Sequence, residues 1–386
     1  MIQAYPLHPN GQSALDLARR VAAFLGEARR SLDLALYDVR LPGEPGDVVS
    51  AALREAAARG VAVRIAYNAD HDERIIPPPP RTKPELIEAL PFPTCGIPGI
   101  PDLMHHKYVV RDGEAVWTGS TNWTTDSWTL QENVIVVIDS PEVAAEYARN
   151  FEELWQARDV DRSGREEPRT LDLEGRQTRA WFTPGHGDEL SHRIARAIGR
   201  ARERVRIASP VLTAGPVIGT LTEVAAEARV DLRGVVDRTQ LDQVFRQWRD
   251  NGRSAWKIPI LASVLEHADF RGKRSTQYTP ESVHDFMHAK VTVADDWVFA
   301  GSFNLSRSGE RNAENVLEIH DAALADRMAA FVDVVRARYP ATSVPEQAMR
   351  TISDVSSASS AIAKSPGEMR PASSSSERTQ SQSPDL

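Results

Sequence analysis

The sequence predicts an α/β protein made of two similar halves, each a sandwich of helices packed on a mixed or largely parallel sheet. Strand patterns alternate with amphipathic helix patterns along the chain, which is typical of α/β architecture. A set of polar residues also recurs at an interval of about 183 residues, so the same fold unit is expected twice. The 386 residues are enough for two such units.

The predicted elements follow the same order in both halves. In the first half we expect a helix, a strand, a helix and a strand over 12–25, 31–37, 48–59 and 61–67. The second half repeats this order over 189–202, 205–209, 217–228 and 230–236. Each copy of the polar set is followed by a strand, over 133–138 and 315–319, and then by a helix, over 141–157 and 323–339.

Three stretches stand outside this pattern. Residues 68–104 and 239–286 lack clear periodicity and are expected to be long loops, of the kind that often serve as lids or binding loops. The Ser-rich segment 343–386 has almost no large apolar residues, so we expect it to be disordered. The chain is therefore expected to divide into a first lobe over 1–160, a second lobe over 175–342 and this tail.

Composition excludes several classes of protein. The single cysteine, Cys95, can form neither an internal disulfide nor a thiolate zinc site. No apolar run reaches the roughly 18 residues that a membrane span needs, and the N-terminus lacks a signal-peptide pattern, so a cytoplasmic location is expected. The net charge of −8 argues against binding nucleic acid by bulk electrostatics, although a local basic cleft stays open.

The recurring polar set is His-x-Lys-x4-Asp, followed by Gly-Ser-x-Asn and then Glu-Asn. Its members are His105, Lys107, Asp112, Ser120, Asn122 and Glu132 in the first half, and His288, Lys290, Asp295, Ser302, Asn304 and Glu314 in the second. The interval is 183 residues up to the aspartate and 182 beyond it, which fits a turn shortened by one residue in the second copy.

The spacing of histidine and lysine predicts a phosphate site. Residues two apart on a strand point to the same face of a sheet, so each copy presents an imidazole and an ammonium together. Lysine supplies a compact positive charge, and imidazole supplies a nucleophile or a proton donor. Two copies suit a double displacement at a phosphodiester, in which one histidine attacks phosphorus and the other protonates the leaving oxygen and later activates water. Lysines and amides then stabilise the charge without a metal ion.

These residues resemble the phospholipase D superfamily, whose hallmark is a duplicated His-x-Lys-x4-Asp motif with a downstream Gly-Ser-x-Asn. The resemblance covers about 10–340 and implies two pseudo-twofold lobes with the active site at their interface. It implies a phosphohistidine intermediate and no metal or other cofactor. The catalytic positions correspond to His105, Lys107, His288 and Lys290, and the phosphate-binding asparagines to Asn122 and Asn304. By resemblance His105 attacks and His288 protonates the leaving group, although nothing in the two copies distinguishes them.

The remaining motif residues are expected to support this site. Asp112 and Asp295 would repel phosphate, so we expect them to hold a turn or neighbouring donors. Glu132 and Glu314 are candidates to accept the second ring N–H of each histidine and so to set its tautomer. Ser120 and Ser302 either donate to phosphate or cap a turn, and His106, between the motif histidine and lysine, is expected to be a packing residue.

The substrate stays open between alternatives. Our first expectation is a phospholipase D-type enzyme that acts on a phospholipid or a related phosphodiester, because the chain is acidic. The alternative within the same chemistry is a nuclease, which a helical stripe of arginines at 193, 196, 200 and 204 favours weakly. The alternative from another class is a non-catalytic binding module. Because both motifs lie in one chain, we expect a monomer with no transmembrane segment.

Overall fold

The computed structural model describes residues 1–69, 87 and 89–342. The tail at 343–386 and most of the proline-rich part of the first insertion lie outside the described residues. The α/β class is confirmed, since two mixed sheets with flanking helices account for the described chain. None of the helices in these ranges is long and apolar enough to cross a membrane.

The first lobe contains nine strands and four helices among the described residues. Its strands are β1 Ile2–Leu7, β2 Ser31–Leu36, β3 Val39–Arg40, β4 Ala62–Asn68, β5 Thr94–Ile97, β6 Lys107–Arg111, β7 Ala115–Gly119, β8 Trp123–Thr124 and β9 Asn133–Asp139. Its helices are α1 Ala14–Gly26, α2 Glu44–Ala58, α3 Thr125–Thr129 and α4 Pro141–Ala157.

The second lobe follows after a short 3-10 turn. Its strands are β10 Leu171–Leu173, β11 Arg176–Phe182, β12 Arg204–Ser209, β13 Asp231–Asp237, β14 Asp269–Lys273, β15 Val291–Ala294, β16 Trp297–Gly301 and β17 Asn315–His320. Its helices are α5 Gly187–Arg200, α6 Gly215–Glu227, α7 Arg238–Asn251, α8 Lys257–His267, α9 Arg307–Arg311 and α10 Ala322–Arg336.

The two large sheets have the same topology. The strand order is β1-β9-β7-β6-β2-β4-β5 in the first lobe and β11-β17-β16-β15-β12-β13-β14 in the second, where β10 adds one strand beside β11. In both sheets the three strands at one end are parallel and the others antiparallel. The repeat in the motif is therefore a repeat of the whole fold, with the motif strands β6 and β15 in the middle of their sheets.

Local sequence explains where the main helices begin. Ser13 caps α1 and forms a capping box with Asp16, and Ser140 and Asp321 cap α4 and α10 with their side chains. The helices α4 and α10 then pack between the sheets, where one apolar cluster contains residues of both lobes. Within it the ring of Tyr147 lies 5.0 Å from that of Phe182 on the other lobe. This shared core joins the two lobes.

The expectation of a long irregular loop over 239–286 is wrong for most of its length. The segment contains α7, α8 and β14, and what is irregular is the short link 252–256, residue 268 and the stretch after Lys273. The side chains of α7 carry the helical signal that was missed, since Leu241, Val244, Phe245 and Trp248 are spaced for one face and are buried. The strands β1 and β11, which open the lobes, were also missed because their alternating residues are mostly polar or only half-buried.

The shortened turn in the second copy is present as expected. Three residues, 112–114, join β6 to β7, whereas two residues, 295–296, join β15 to β16. Asp112 and Asp295 both begin their turn with a positive φ, at 58° and 50°. The one-residue deletion therefore changes the length of the turn and leaves the paired strands intact.

Candidate active site

Both motif lysines are buried beside their own histidines. The exposed fraction is 2 % for Lys107 and 4 % for Lys290. Nζ of Lys107 donates to the backbone oxygen of His105 at 2.6 Å, and Nζ of Lys290 donates to that of His288 at 2.7 Å. Both histidines lie just before the strands β6 and β15, and in each copy the ammonium group folds back onto the backbone of its own histidine.

His105 is held by a carboxylate of the other lobe. Its Nδ1 lies 2.7 and 2.8 Å from the two carboxyl oxygens of Glu314, which is fully buried. Because both oxygens face the same nitrogen, Nδ1 is the donor and Nε2 is left for a ligand. The rings of Tyr37 and His105 pack in an edge-to-face arrangement with 4.5 Å between their centroids, which restrains the plane of the imidazole. Glu314 therefore fulfils the role expected for it, across the lobe interface.

His288 has an amide as its partner. Its Nδ1 lies 3.1 Å from Oδ1 of Asn133. The amide nitrogen of Asn133 is turned away to donate to the backbone oxygen of Ser127 at 3.0 Å and to Oε1 of Gln131 at 3.2 Å, so the oxygen faces the imidazole. His288 therefore also donates from Nδ1 and leaves Nε2 for a ligand.

The expectation that Glu132 orients a histidine is wrong. Its buried carboxylate instead accepts from Nζ of Lys273 at 2.9 Å and from the hydroxyl of Tyr339. The reason is a difference in strand register between the lobes, and Asn133 takes the place that Glu132 was expected to fill. The sequence repeat carried no signal for either Asn133 or Lys273 in this role.

The backbone before each motif histidine is anchored in the same way in both lobes. The N–H of Met104 donates to Oδ1 of Asn68 at 3.0 Å, and the N–H of Met287 donates to Oδ2 of Asp237 at 3.0 Å. Asn68 and Asp237 are the last residues of the equivalent parallel strands β4 and β13. These two anchors were not predicted, although a polar residue at the end of each buried strand was visible in the sequence.

The motif aspartates hold the opposite ends of the motif strands. Asp112 accepts backbone N–H groups at 29, 30 and 31, at 2.6 to 3.1 Å. Asp295 does the same with the backbone at 202, 203 and 204, at 2.8 to 3.1 Å. These N–H groups keep the pKa of both carboxyls below its usual value, even though partial burial opposes this.

The serines and asparagines after the turns have different surroundings. Ser120 donates to Oδ1 of Asn133 at 2.7 Å, and Ser302 accepts the backbone N–H of Asn315 at 3.0 Å, so both serines brace the following strand. Oδ1 of Asn122 and of Asn304 is buried and has no hydrogen-bond partner in the described parts of the chain. An amide oxygen accepts and does not donate, so the role of these two asparagines at a phosphate, which would use their NH2 groups, stays a prediction.

The histidine between the motif residues packs behind the site. His106 is fully buried, its ring lies 5.0 Å from that of Tyr108, and its Nδ1 accepts from the amide of Asn315 at 3.2 Å. It therefore points to the opposite face of the strand from His105, as expected for the intervening residue.

The charged groups of the two motifs influence one another across the lobe interface. Burial lowers the pKa of Lys107 to about 7 and that of Lys290 well below its usual value, and burial raises the pKa of Glu314 to about 8. Burial also holds the pKa of His105 and of His288 well below the usual range, and lysines of both lobes add to that effect. Such a cluster of crowded cations favours an anion between them, which would restore their protons.

The end of the second insertion forms one side of the site. Nδ1 of His284 lies 3.3 Å from the guanidinium of Arg40, which holds Asp38 through two contacts of 2.9 Å. The imidazole of His284 stacks on Phe286, with 5.5 Å between ring centroids. Burial lowers the pKa of Lys107, and the charges of Glu314 and Asp38 oppose this effect. Burial also lowers the pKa of His288, and His284 adds a small part to that effect. Sequence analysis did not single out these residues.

No group of three or more His, Cys, Asp or Glu residues is arranged to hold a metal ion in the described ranges. The arrangement offers a different chemistry: two buried imidazoles whose Nδ1 is bound to a partner, each with a buried ammonium group beside it. Together they match the needs of a nucleophile, a proton donor and several cationic or polar groups for the oxygens of a phosphate.

Comparison with known proteins agrees with this arrangement. The family model described as cardiolipin synthase, PLD-like domain, matches residues 21–155 and 194–334. The chain is 29 % identical over 140 residues to a mitochondrial cardiolipin hydrolase of Chlamydomonas reinhardtii, which is 35 % of this chain and 56 % of that protein. It is 28 % identical over 131 residues to a phospholipase D of Rickettsia bellii, which is 34 % of this chain and 60 % of that protein. The chain thus spans little more than half of these relatives.

A solved structure has the same fold over most of its length. Phosphatidylserine synthase of Haemophilus influenzae superimposes with a TM-score of 0.62, covers 94 % of each chain and is 13 % identical. At that identity the likeness is one of fold, and it includes both lobes.

Proposed function

The chain belongs to the phospholipase D-like family, and from that membership we propose that it is a phosphodiesterase that works through a covalent phosphohistidine. The observation that carries the proposal is the pair of buried histidines, each with Nδ1 bound to a partner and Nε2 left free. This is the arrangement that nucleophilic and acid–base catalysis by imidazole needs.

The reaction proceeds in two displacements. In the first, Nε2 of one histidine forms a bond to phosphorus, and the bond from phosphorus to the leaving oxygen breaks while the other histidine gives that oxygen its proton. In the second, the now neutral histidine takes a proton from water, the water oxygen bonds to phosphorus, and the N–P bond breaks. Lys107, Lys290, Asn122 and Asn304 stabilise the charge on the non-bridging oxygens.

We propose a phospholipid as the substrate, because the relatives reported above are named cardiolipin hydrolase and phospholipase D. The location of the arginine stripe supports this choice over nucleic acid. Arg193, Arg196 and Arg200 line a cleft of about 380 Å³ around the turn that begins at Asp295. That turn is at the far end of β15 from Lys290, about 16 Å away at 3.3 Å per residue. The arginines therefore offer no basic track into the site. Monomeric state, cytoplasmic location and the lobe bounds stay predictions.

The test separates the three functions that the sequence left open. Purified protein with chelator present is incubated with the diester bis(p-nitrophenyl) phosphate, with vesicles of cardiolipin and phosphatidylcholine, and with single- and double-stranded DNA. We expect release of nitrophenol and of phosphatidic acid. His105→Ala should abolish both, and His192→Ala, at an exposed histidine of α5, should change neither. Shortened DNA with intact lipid would favour the nuclease, and no hydrolysis of any diester would favour the binding module.

A further inference from the structure

Two exposed aliphatic side chains occupy the same position in the two repeats. Ile100 and Val283 are each 52 % exposed, and in the described ranges they are two of only five large apolar side chains with such exposure. They lie 183 residues apart, which is the interval of the motif histidines, and each is five residues before its histidine. A single exposed aliphatic residue is ordinary on a protein surface, but a pair at one repeat position calls for a common cause.

The backbone between each of these residues and its histidine is equivalent in the two lobes. Met104 and Met287 also recur at the interval of 183 residues, directly before the histidines. The N–H of each methionine is bound by the last residue of the equivalent parallel strand, as described above. The loops that carry Ile100 and Val283 therefore leave the two lobes at matching points.

Both loops lie at the edge of the sheets where the parallel strands end. Lys107, which begins β6, pairs with Leu36 at the end of β2. In the second lobe Val291, which begins β15, pairs with Ala208 near the end of β12. The motif histidines precede β6 and β15, and five residues of chain span at most about 18 Å. The exposed pair thus shares one edge with the histidines, and this is the edge at which α/β sheets bind ligands.

Each loop is held by a short helix of the other lobe. Asp102, two residues after Ile100, pairs with Arg311 of α9 at 3.1 Å. The N–H of His284, directly after Val283, donates to Oδ2 of Asp126 in α3 at 3.0 Å. Such reciprocal contacts relate the lobes by an approximate twofold axis, as in an isologous dimer. Residues at matching points are at equal height along that axis, so both side chains reach one flat surface.

A third exposed apolar side chain lies near the same edge. Trp256, which is 57 % exposed, comes directly before α8. The next residue, Lys257, donates from Nζ to the backbone oxygen of Thr213 at 3.3 Å. Thr213 follows the end of β12, and its N–H donates at 2.7 Å to the backbone oxygen of Leu305, the residue after the motif residue Asn304. Tryptophan is enriched where proteins meet the boundary between a bilayer and water.

We propose that Ile100 and Val283, with Trp256 near them, insert into the surface of a phospholipid bilayer and place the histidine edge over the headgroups. The proposal deepens the proposed function and rests on it for the lipid substrate. Burial of apolar side chains supplies the binding, because a net charge of −8 gives little attraction to anionic lipid. The contacts of the two loops with α9 and α3 keep the apolar side chains in solvent until lipid covers them.

The experiment removes apolar surface without adding charge. Wild type, Ile100→Ser, Val283→Ser, the double variant and Trp256→Ser are sedimented with vesicles of phosphatidylcholine, at low and at high salt, and without vesicles. Val334→Ser is the matched control, because this valine of α10 is 49 % exposed and belongs to neither loop. Because all these side chains are exposed, the variants should fold, and circular dichroism and thermal melting check this.

Each single loop variant should bind vesicles roughly fivefold to tenfold more weakly, the ratio expected when two or three methylene groups are no longer half-buried in lipid. The losses should multiply in the double variant, whereas Val334→Ser and high salt should change binding by less than about twofold. Release of phosphatidic acid from the vesicles should fall in parallel with binding. Hydrolysis of bis(p-nitrophenyl) phosphate needs no membrane and should be retained, which separates a lost membrane contact from a damaged site.

Four outcomes would overturn the proposal. They are unchanged vesicle binding by the double variant, an equal loss in Val334→Ser, binding that high salt abolishes, and a wild type that forms dimers through this pair and does not bind vesicles. A wild type that binds vesicles through the pair but hydrolyses no diester contradicts the proposed function and leaves the membrane contact standing.

Discussion

Replacing Asp112 with asparagine should destabilise the protein without slowing the reaction. The carboxylate accepts three backbone N–H groups, those of Arg29, Arg30 and Ser31, at 2.6 to 3.1 Å. A hydrogen bond to a charged group contributes about 1.5–3 kcal/mol, and a neutral one about 0.5–1.5 kcal/mol. Since the amide keeps one acceptor oxygen but loses the charge, three bonds weakened by about 1 kcal/mol each lower the free energy of unfolding by about 3 kcal/mol.

The second lobe provides an internal replicate, because Asp295→Asn removes the same charge from an equivalent set of three N–H groups. Asp172→Asn is the control, since this exposed carboxylate accepts a single N–H, that of Gly175. Its loss should cost no more than about 1 kcal/mol.

The assay is urea unfolding followed by tryptophan fluorescence and circular dichroism, with hydrolysis of bis(p-nitrophenyl) phosphate measured on the folded variants. Asp112 is five strand residues from Lys107, about 16 Å, so kcat/KM should stay within about twofold of the wild type. A loss of activity of 10²-fold or more in a folded Asp112→Asn protein would refute the reasoning, because it would place the carboxylate in the chemistry.

Three other results are expected. The affinity for diethyl phosphate, an anion whose charge is constant in this range, should fall as the pH rises from 6 to 9. The reason is that Lys107 loses its proton near pH 7 and Glu314 gains a negative charge near pH 8. A Kd that stays constant in calorimetry would contradict this. Lys273→Met should lower the free energy of unfolding by about 3–5 kcal/mol in urea, since it leaves Glu132 buried without its cation. Arg249→Met, in an exposed ion pair, should lower it by at most about 1 kcal/mol, and similar losses would show that the Lys273 contact is weak. Turnover should be unchanged by a chelator, and recovery of lost activity on adding magnesium or zinc would show a metal requirement.

The sequence by itself determined the repeat, and with it much of the architecture. A strand that carries histidine and lysine two residues apart presents both side chains on one face. Two copies of one fold unit then place matching residues at matching positions of their sheets. The motif therefore predicted the α/β class, the paired histidines and lysines, and aspartates that hold a turn. The segment 239–286 escaped because its charged residues obscure the buried face of α7, although the helical spacing was present.

Only the tertiary structure decided which side chain orients each histidine. Glu314 and Asn133 reach their histidines across the lobe interface, so their contacts depend on how two sheets are packed and on where each strand begins. In the first lobe Leu130 stays helical, so one more residue precedes the strand than in the second lobe. The carboxylate of Glu132 is thereby turned away from His288 and is bound by Lys273. An alignment of the two motif copies by sequence shows neither of these contacts. Strand register is set by turn geometry and by buried charge, and in this chain both act between residues far apart in sequence.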